Sequence, residues 1–557
     1  MIGNLRARPA GAARAVRLPC AGVNTNLTFL DCTLRDGGYY NSWDFPLPLV
    51  NDYLLAMQQS GVNTVELGFR FLKNEEFMGP SAFTTDEYLR SLTVPDGLEI
   101  AVMVNGSDLV SDGDQASILE RLFPCRPPES PVRLVRLACH VHELQRVFPA
   151  ARWLRDRGFR VGFNLMQIAD RSKEEVSQLA RAACDWPIDA LYFADSMGGM
   201  RPSDVGQIVG WIRSAWQGPI GIHTHDNMGL ALQNTLEAIR HGATWVDSTV
   251  TGMGRGPGNA RTEELAIEVA AIRGLHPNLV PLMGLIRKHF QPLKARFGWG
   301  SNPFYYLSGM HGIHPTFVQE MLSDARFEEA DVLAVIDRLR GTAGKKYSTS
   351  ALESALIFYD RPVEGAWRAG ELIAGREVLL LGAGPGVVAH RTALESYVRR
   401  HRPLTIAMNL QAAISPDLID LRVACHPLRL IADAPAHRQS PHPLVAPAGS
   451  LPVAVREALG ERVLDFGLRV QPGHFCLGER SCTAPTSQVI SYALALIASG
   501  GAARLMMAGF DGYAPGDPRN VELARIVKLF RTAAPGLDIR CVTPSFLDLP
   551  HVSIYGM

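Results

Sequence analysis

From residue 27 onward, short apolar runs recur at near-regular spacing, with amphipathic stretches between them. The runs fall at 27–32, 63–68, 99–104, 133–138, 159–165, 189–194, 219–223 and 244–250. Intervening segments such as LPLVNDYLLAMQQSG, KEEVSQLARAACDW and MGLALQNTLEAIRHG repeat their apolar residues at helical spacing. Eight strand–helix units of about 30 residues each have the length and rhythm of a (β/α)8 barrel. The runs are too continuously apolar for half-exposed antiparallel strands and suit a parallel wall buried on both faces. The pattern predicts a catalytic barrel over 27–265.

The chain has 557 residues, too many for one ordinary domain. Residues 266–370 lose the barrel rhythm and read as a mainly helical region, with aromatic and basic segments such as LIRKHFQPLKARFGWG and NPFYYLSGMHGIHP. Beyond that, strand 377–381 runs into Gly382-Ala383-Gly384-Pro385-Gly386, and further strands are expected at 404–408, 420–424 and 503–507. This predicts a doubly wound, Rossmann-like α/β domain over 371–557. The Pro-rich stretch 433–452 reads as a surface loop. Residues 1–26 are rich in Arg, Ala and Gly, lack the apolar core of a secretory signal and read as a disordered extension.

Lys+Arg and Asp+Glu both number 55, so no bulk charge draws the chain to nucleic acid or an anionic membrane. No apolar run reaches the roughly 18–20 residues that span a bilayer. The nine cysteines are scattered, without CxxC pairs or disulfide-like spacing, which suits a reducing cytoplasm. Cys32 and Cys139 lie next to the barrel mouth and read as buried apolar thiols rather than nucleophiles.

In such barrels the functional groups sit at the C-terminal ends of strands and in the loops that follow. Three segments with chemistry fall there. Asp31-Cys32-Thr33-Leu34-Arg35-Asp36-Gly37-Gly38 closes the first strand and offers a carboxylate beside a fixed cation. His223-Thr224-His225 closes the seventh, and two His at i and i+2 on a strand point to one side. One carboxylate and two imidazoles with open positions suit a catalytic divalent metal, with Asp36, His223 and His225 as ligands. After the eighth strand, Gly252-Met253-Gly254-Arg255-Gly256-Pro257-Gly258-Asn259 brings backbone close to the mouth, and Asn259 offers a further oxygen.

FLDCTLRDGG, IHTHDN and GMGRGPGNARTE resemble the three signature segments of the metal-dependent aldolase and acyl-transfer (HMG-CoA lyase-like, DRE-TIM) barrels. The similarity is greatest to the 4-hydroxy-2-oxovalerate aldolase-like branch, through DCTLRDGGYYNSWDF, VELGFRFLKNEEFMGPSAF, FADSMGGMRPSD and TVTGMGRGPGNARTEEL. VLLLGAGPG, IAMNL and MMAGFDGY resemble an additional C-terminal domain that some proteins of this branch carry. The resemblance implies metal ligation by Asp36, His223 and His225, with Asn259 as a fourth ligand and Mn2+ or Mg2+ as the ion. It implies that Arg35 stabilises the enolate oxygen of a pyruvate-like 2-oxo acid, which adds to or leaves an aldehyde. It also marks a departure. The aldolases carry a His base where this chain has Tyr39, which leaves proton transfer to Tyr39, to a metal-bound water, or to His140, His311 or His314.

Other groups are expected around the mouth. Glu66 would orient Arg35 or a metal-bound water. Arg136 would grip a carboxylate, unless it pairs inside the barrel. Asn164 and Gln167 would meet substrate hydroxyls, Asp195 and Ser196 would bind substrate or cap the next helix, and Tyr305 and Tyr306 would cover the site. In the C-terminal domain the GAGPG loop suggests a nucleotide or phosphosugar ligand, with Asp511 and the segment 425–429 beside it. A metal-dependent aldolase acting on a 2-oxo acid and a sugar-like aldehyde is the leading expectation. Claisen-type acyl transfer from acetyl-CoA and a non-catalytic barrel with a ligand-binding C-terminal domain are the alternatives. A homodimer is compatible with the helical appendage.

Overall fold

The computed structural model describes residues 26–557 except 75–76, 111–113, 325–326, 341–343, 345–346, 348–351, 353–358, 360, 362, 412 and 514–516. The extension expected over 1–26 lies outside the described residues but for Asn26. Two compact units divide at Pro315 and Thr316.

The first unit is a closed eight-stranded parallel barrel. Its strands are β1 (Thr28–Asp31), β2 (Thr64–Phe69), β3 (Glu99–Asn105), β4 (Val132–His140), β5 (Arg160–Met166), β6 (Ala190–Asp195), β7 (Ile220–Thr224) and β8 (Trp245–Ser248). Each overlaps an apolar run of the sequence. The register of β1 on β8, Leu30 opposite Asp247 and Asp31 opposite Ser248, closes the barrel. Outward-facing Val, Leu, Ile and Phe of the strands pack under the surrounding helices. Each such side chain contributes about 1.5–3 kcal/mol of burial. Inside, Leu30, Cys32, Ala101, Leu134, Ala190, Tyr192 and Trp245 form an apolar plug. The Arg136 guanidinium lies over the Tyr192 ring, 4.4 Å from its centroid, and joins that plug to a layer of charged residues.

The segment 266–370 divides between the units. Helices Val280–Leu285, Gln291–Phe297 and Pro303–Met310 belong to the barrel unit. They are tied to the mouth loops: Trp299 Nε1 donates to Thr251 O (3.1 Å), Ser301 Oγ to Asn227 O (2.7 Å) and Asn227 Nδ2 to Ser308 Oγ (3.1 Å).

The second unit holds a parallel sheet of β9 (Glu377–Leu381), β10 (Leu404–Met408), β11 (Leu421–Val423), β12 (Leu444–Ala446) and β13 (Val463–Asp465), with β17 (Arg504–Ala508) and β18 (Asp538–Cys541). The order β13-β12-β11-β10-β9-β17-β18 reverses direction between β9 and β17, as a doubly wound sheet does. A small sheet of β14 (Gly467–Val470), β15 (Cys476–Leu477) and β16 (Ser481–Ala484) completes the unit. The Pro-rich stretch is not a surface loop. It contains the helix Ala434–Gln439 and the buried strand β12. Its prolines stand at the start of that helix and at the flanks of the strand, where a missing N–H costs little. Among the described residues no helix is long and apolar enough to cross a membrane.

Candidate metal centre

After β1 the chain turns at once into a single helical turn, Thr33–Asp36. Asp31 fixes that turn. Its buried carboxyl accepts hydrogen bonds from Thr33 N (2.8 Å), Thr33 Oγ1 (2.6 Å), the Tyr53 hydroxyl (2.6 Å) and Thr262 Oγ1. Gly38 must be glycine, because a Cβ there would stand 2.0 Å from the Trp43 ring. Trp43 Nε1 in turn donates to Arg35 O (2.9 Å). The turn is thus braced on both sides and carries Arg35 and Asp36 into a buried position.

From there a series of ion pairs runs through the interior and closes on itself. Arg35 Nη1 meets Asp36 Oδ1 at 2.7 Å and Arg35 Nε meets Glu66 Oε1 at 2.7 Å. Glu66 Oε2 lies 2.9 Å from Arg136 Nε, an ion pair without hydrogen-bond alignment. Arg136 Nη1 donates to both oxygens of Asp247, at 2.8 and 2.7 Å. Asp247 Oδ2 lies 3.0 Å from His223 Nδ1, and His223 Nε2 lies 3.2 Å from Asp36 Oδ2. Three carboxylates, two guanidiniums and one imidazole leave one net negative charge when His223 is neutral, which favours uptake of a cation.

The donor set fits a divalent metal. His223 Nδ1 faces the Asp247 carboxylate and His225 Nδ1 faces Asp195 O at 2.8 Å. With both Nδ1 atoms donating, each ring keeps its Nε2 lone pair for a cation. Asn259 donates Nδ2–H to Asp36 Oδ2 (2.6 Å), while its own Oδ1 is buried without a hydrogen-bond partner. A backbone bridge sets His225 opposite Asn259. Ligand atoms of Asp36, His223 and Cys32 lie within 4.8 Å of one another, while His225, its ring centroid 5.1 Å from that of His223, stands outside this group. Burial keeps the Cys32 thiol protonated, and it donates to Ser248 O (3.5 Å), so it competes poorly as a ligand.

Burial and neighbouring charges shift the titration of these groups. Burial opposes ionisation of Asp36, but Arg35 and His223 outweigh it and hold the carboxyl well below its usual range. Burial lowers His223, yet its hydrogen bonds to Asp247 and Asp36 carry it above the ordinary imidazole value. Burial, and then the neighbouring His223, push His225 down to about 3. Burial pushes Asp195 up to about 7, against the N–H groups of Met200 and Gly199 on its carboxyl.

The remaining expected residues fall into distinct places. Arg136 is wholly buried and held by Glu66 and Asp247, the interior pairing that the sequence offered as the alternative. Asn164 is buried at the end of β5 with Oδ1 lacking a hydrogen-bond partner. Ser196 Oγ accepts from Gln167 N (3.0 Å) and braces one mouth loop against the next. His140 ends β4, its ring stacked on His142 at 5.5 Å. Tyr305 is buried against Gly256, and Tyr306 is exposed. Tyr39 is 39% exposed at the rim, against Trp43 and Phe69.

Three residues with no sequence-based expectation join the site. Asp247 completes the ionic circuit. Its signal was a lone acid in the strand TWVDSTV, which the apolar rhythm masks. Tyr40, rather than Tyr39, turns toward the centre. Burial raises its phenol, which takes the Gly256 N–H on its oxygen and feels the Asp36 charge. Its ring stacks on Phe297 at 5.4 Å. Arg255 reaches over the Tyr39 ring, 4.7 Å from the centroid. In the second unit, the Gly-rich loop after β9 is filled by the protein itself. Gly386 N–H donates to Asp511 Oδ2 (3.1 Å), and a Cβ at Gly384 would stand 2.2 Å from that carboxylate.

The chain is similar to several known proteins. Residues 135–281 match the HMGL-like family. A "4-hydroxy-2-oxovalerate aldolase" of Pelotomaculum thermopropionicum is 30% identical over 253 residues, 44% of this chain and 70% of that one. An "Oxaloacetate decarboxylase" of Mycobacterium tuberculosis is 25% identical over 335 residues, 59% of this chain and 95% of that one. The crystal structure of an N-terminal domain from Bacteroides vulgatus is 33% identical, covers 53% of this chain and 97% of that one, and superposes with a TM-score of 0.49.

Proposed function

Because the chain belongs to the 4-hydroxy-2-oxovalerate aldolase family, we propose that its barrel is a metal-dependent aldolase that makes or breaks a carbon–carbon bond between a pyruvate-type enolate and an aldehyde. Asp36, His223 and His225 would hold the divalent cation, Mn2+ or Mg2+, with Asn259 Oδ1 as a fourth donor. Such an ion, when bound, supplies Lewis acidity toward the carboxylate and keto oxygens of a 2-oxo acid. The observation that carries the reading is Arg35. Two of its nitrogens are taken by Asp36 and Glu66, while the buried Nη2 has no hydrogen-bond partner. An unengaged, desolvated N–H beside the metal ligands is what a developing enolate oxygen requires. Glu66, held by Arg136, fixes the plane of the Arg35 guanidinium.

The proton-transfer half rests on other groups. Tyr40 keeps its proton at neutral pH and serves as donor to an alkoxide, with Tyr305 beside it. His314, pushed down to about 4 by burial and by Arg255, is neutral at that pH but a weak base. Ser196 and Asn164 would border the substrate, His140 the outer rim. For the second unit, a nucleotide or phosphosugar remains the ligand class suggested by the fold, in a narrower form. A ligand at the β9–β17 crevice meets the Asp511 carboxylate, which favours sugar hydroxyls over phosphate oxygens. A cytoplasmic location fits the scattered free thiols.

Incubation of the protein with Mg2+, pyruvate and a panel of aldehydes, followed by mass spectrometry, tests the reading. A 4-hydroxy-2-oxo acid is expected. Thiol release from acetyl-CoA with no aldol product would point instead to Claisen chemistry. Oxaloacetate offered alone tests whether carbon dioxide can replace the aldehyde as the fragment lost, since both reactions pass through the same enolate.

A further inference from the structure

The loop after β8 carries a cation that the ionic circuit does not use. Arg35 and Arg136 are paired with carboxylates. Arg255, by contrast, makes no ion pair or side-chain hydrogen bond among the described residues. Its contact is with the face of Tyr39, on the rim of the mouth. The backbone that presents it is fixed. Gly256 adopts φ +54, and the Tyr305 ring stands 2.8 Å from where its Cβ would be. Gly254 is similarly closed off by Asn259, 2.7 Å from the Cβ position, and Gly258 N donates to Arg255 O (3.1 Å).

An arginine held over an aromatic ring, with its donors unengaged, is preorganised for a carboxylate or phosphate. On the aldolase reading, which this inference rests on, the charged end of the 2-oxo acid is taken at the metal and beside Arg35. The rim position of Arg255 then corresponds to the far end of the other substrate. We propose that Arg255 binds an anionic group on the aldehyde, so that the enzyme selects an acidic aldehyde over its neutral counterpart. Arg255 is thereby a specificity residue, and the bond chemistry is left to the groups around Arg35.

The experiment compares two matched pairs with pyruvate and Mg2+: 4-oxobutanoate against butanal, and D-glyceraldehyde 3-phosphate against D-glyceraldehyde. The pairs separate carboxylate from phosphate as the recognised group. The wild-type protein is expected to prefer the anionic member of at least one pair by about tenfold or more in kcat/KM, the range of one charge-assisted contact. In Arg255→Gln that preference should collapse to within about threefold, through KM of the anionic aldehyde rather than KM of pyruvate. Arg255→Lys should keep part of it, which separates lost charge from a damaged loop. Equal use of both members by the wild type overturns the proposal. So does a variant that keeps its preference while its KM for pyruvate rises, which would put Arg255 on the 2-oxo acid. A wild-type protein that does not exchange the methyl protons of pyruvate would defeat the aldolase reading itself.

Discussion

The barrel mouth and the switch point of the C-terminal sheet are the two places where such folds put ligands, and they are finished differently. At the barrel mouth the protein leaves groups unsatisfied. Arg35 Nη2 and Asn259 Oδ1 are buried without hydrogen-bond partners in the midst of a closed ring of ion pairs. At the sheet, a Gly-rich loop of the kind that receives phosphate is already answered by the carboxylate of Asp511. Two motifs of similar appearance therefore differ in what they hold in reserve. Burying an unpaired donor or acceptor costs about 1–3 kcal/mol, so a site that keeps several has its stability offset elsewhere.

The contrast can be broken most sharply at Asp36. Asp36→Ala removes a proposed ligand and the partner of Arg35, and should lower turnover by about 1,000-fold or more while abolishing Mn2+ binding in calorimetry. Retained binding would move the metal elsewhere. Next in size is Arg136→Met. It leaves Glu66 with Arg35 alone and Asp247 with His223 alone, and should cost about 3–5 kcal/mol in urea unfolding, since breaking one side of a buried pair exceeds the value of the pair.

A pH effect follows from His223. Its hydrogen bonds to Asp247 and Asp36 raise its pKa, so proton and metal compete for Nε2. Below that raised value Mn2+ affinity should fall about tenfold per pH unit, and a flat profile would argue against His223 as ligand. Asp195 acts on stability. Burial raises it from 3.8 to about 7, so between these values the folded state binds more protons than the unfolded one. Stability is then lost as pH rises through that window, and Asp195→Asn should flatten this slope. The smallest effect is expected in the other region. Asp511→Ala should cost about 1 kcal/mol, the value of one hydrogen bond, and leave aldol turnover as it was.

Much of this is legible in the sequence. The barrel strands could be placed because parallel strands buried on both faces are continuous apolar runs, and their ends located Arg35, Asp36, His223 and His225. What a single sequence conceals is which group faces which. Tyr39 and Tyr40 are neighbours, and only the short 3-10 helix Gly37–Tyr40 decides that one lies on the rim and the other near Asp36. Arg136 could not be divided between substrate and scaffold until Asp247, 111 residues away, appeared as its partner. Strand β12 was hidden by prolines, because those that flank a short strand look the same as those that fill a loop.

The most direct measurement is deuterium incorporation into the methyl group of pyruvate in D2O, followed by mass spectrometry, with no aldehyde present. It isolates enolate formation at the Arg35–metal site from every question about the second substrate. Expected is exchange that needs Mg2+ or Mn2+, stops with a chelator, returns when metal is restored, and is lost in Asp36→Ala. Absence of exchange in the metal-loaded wild-type protein, or exchange indifferent to the chelator, would contradict the assignment of this barrel as a metal-dependent pyruvate aldolase.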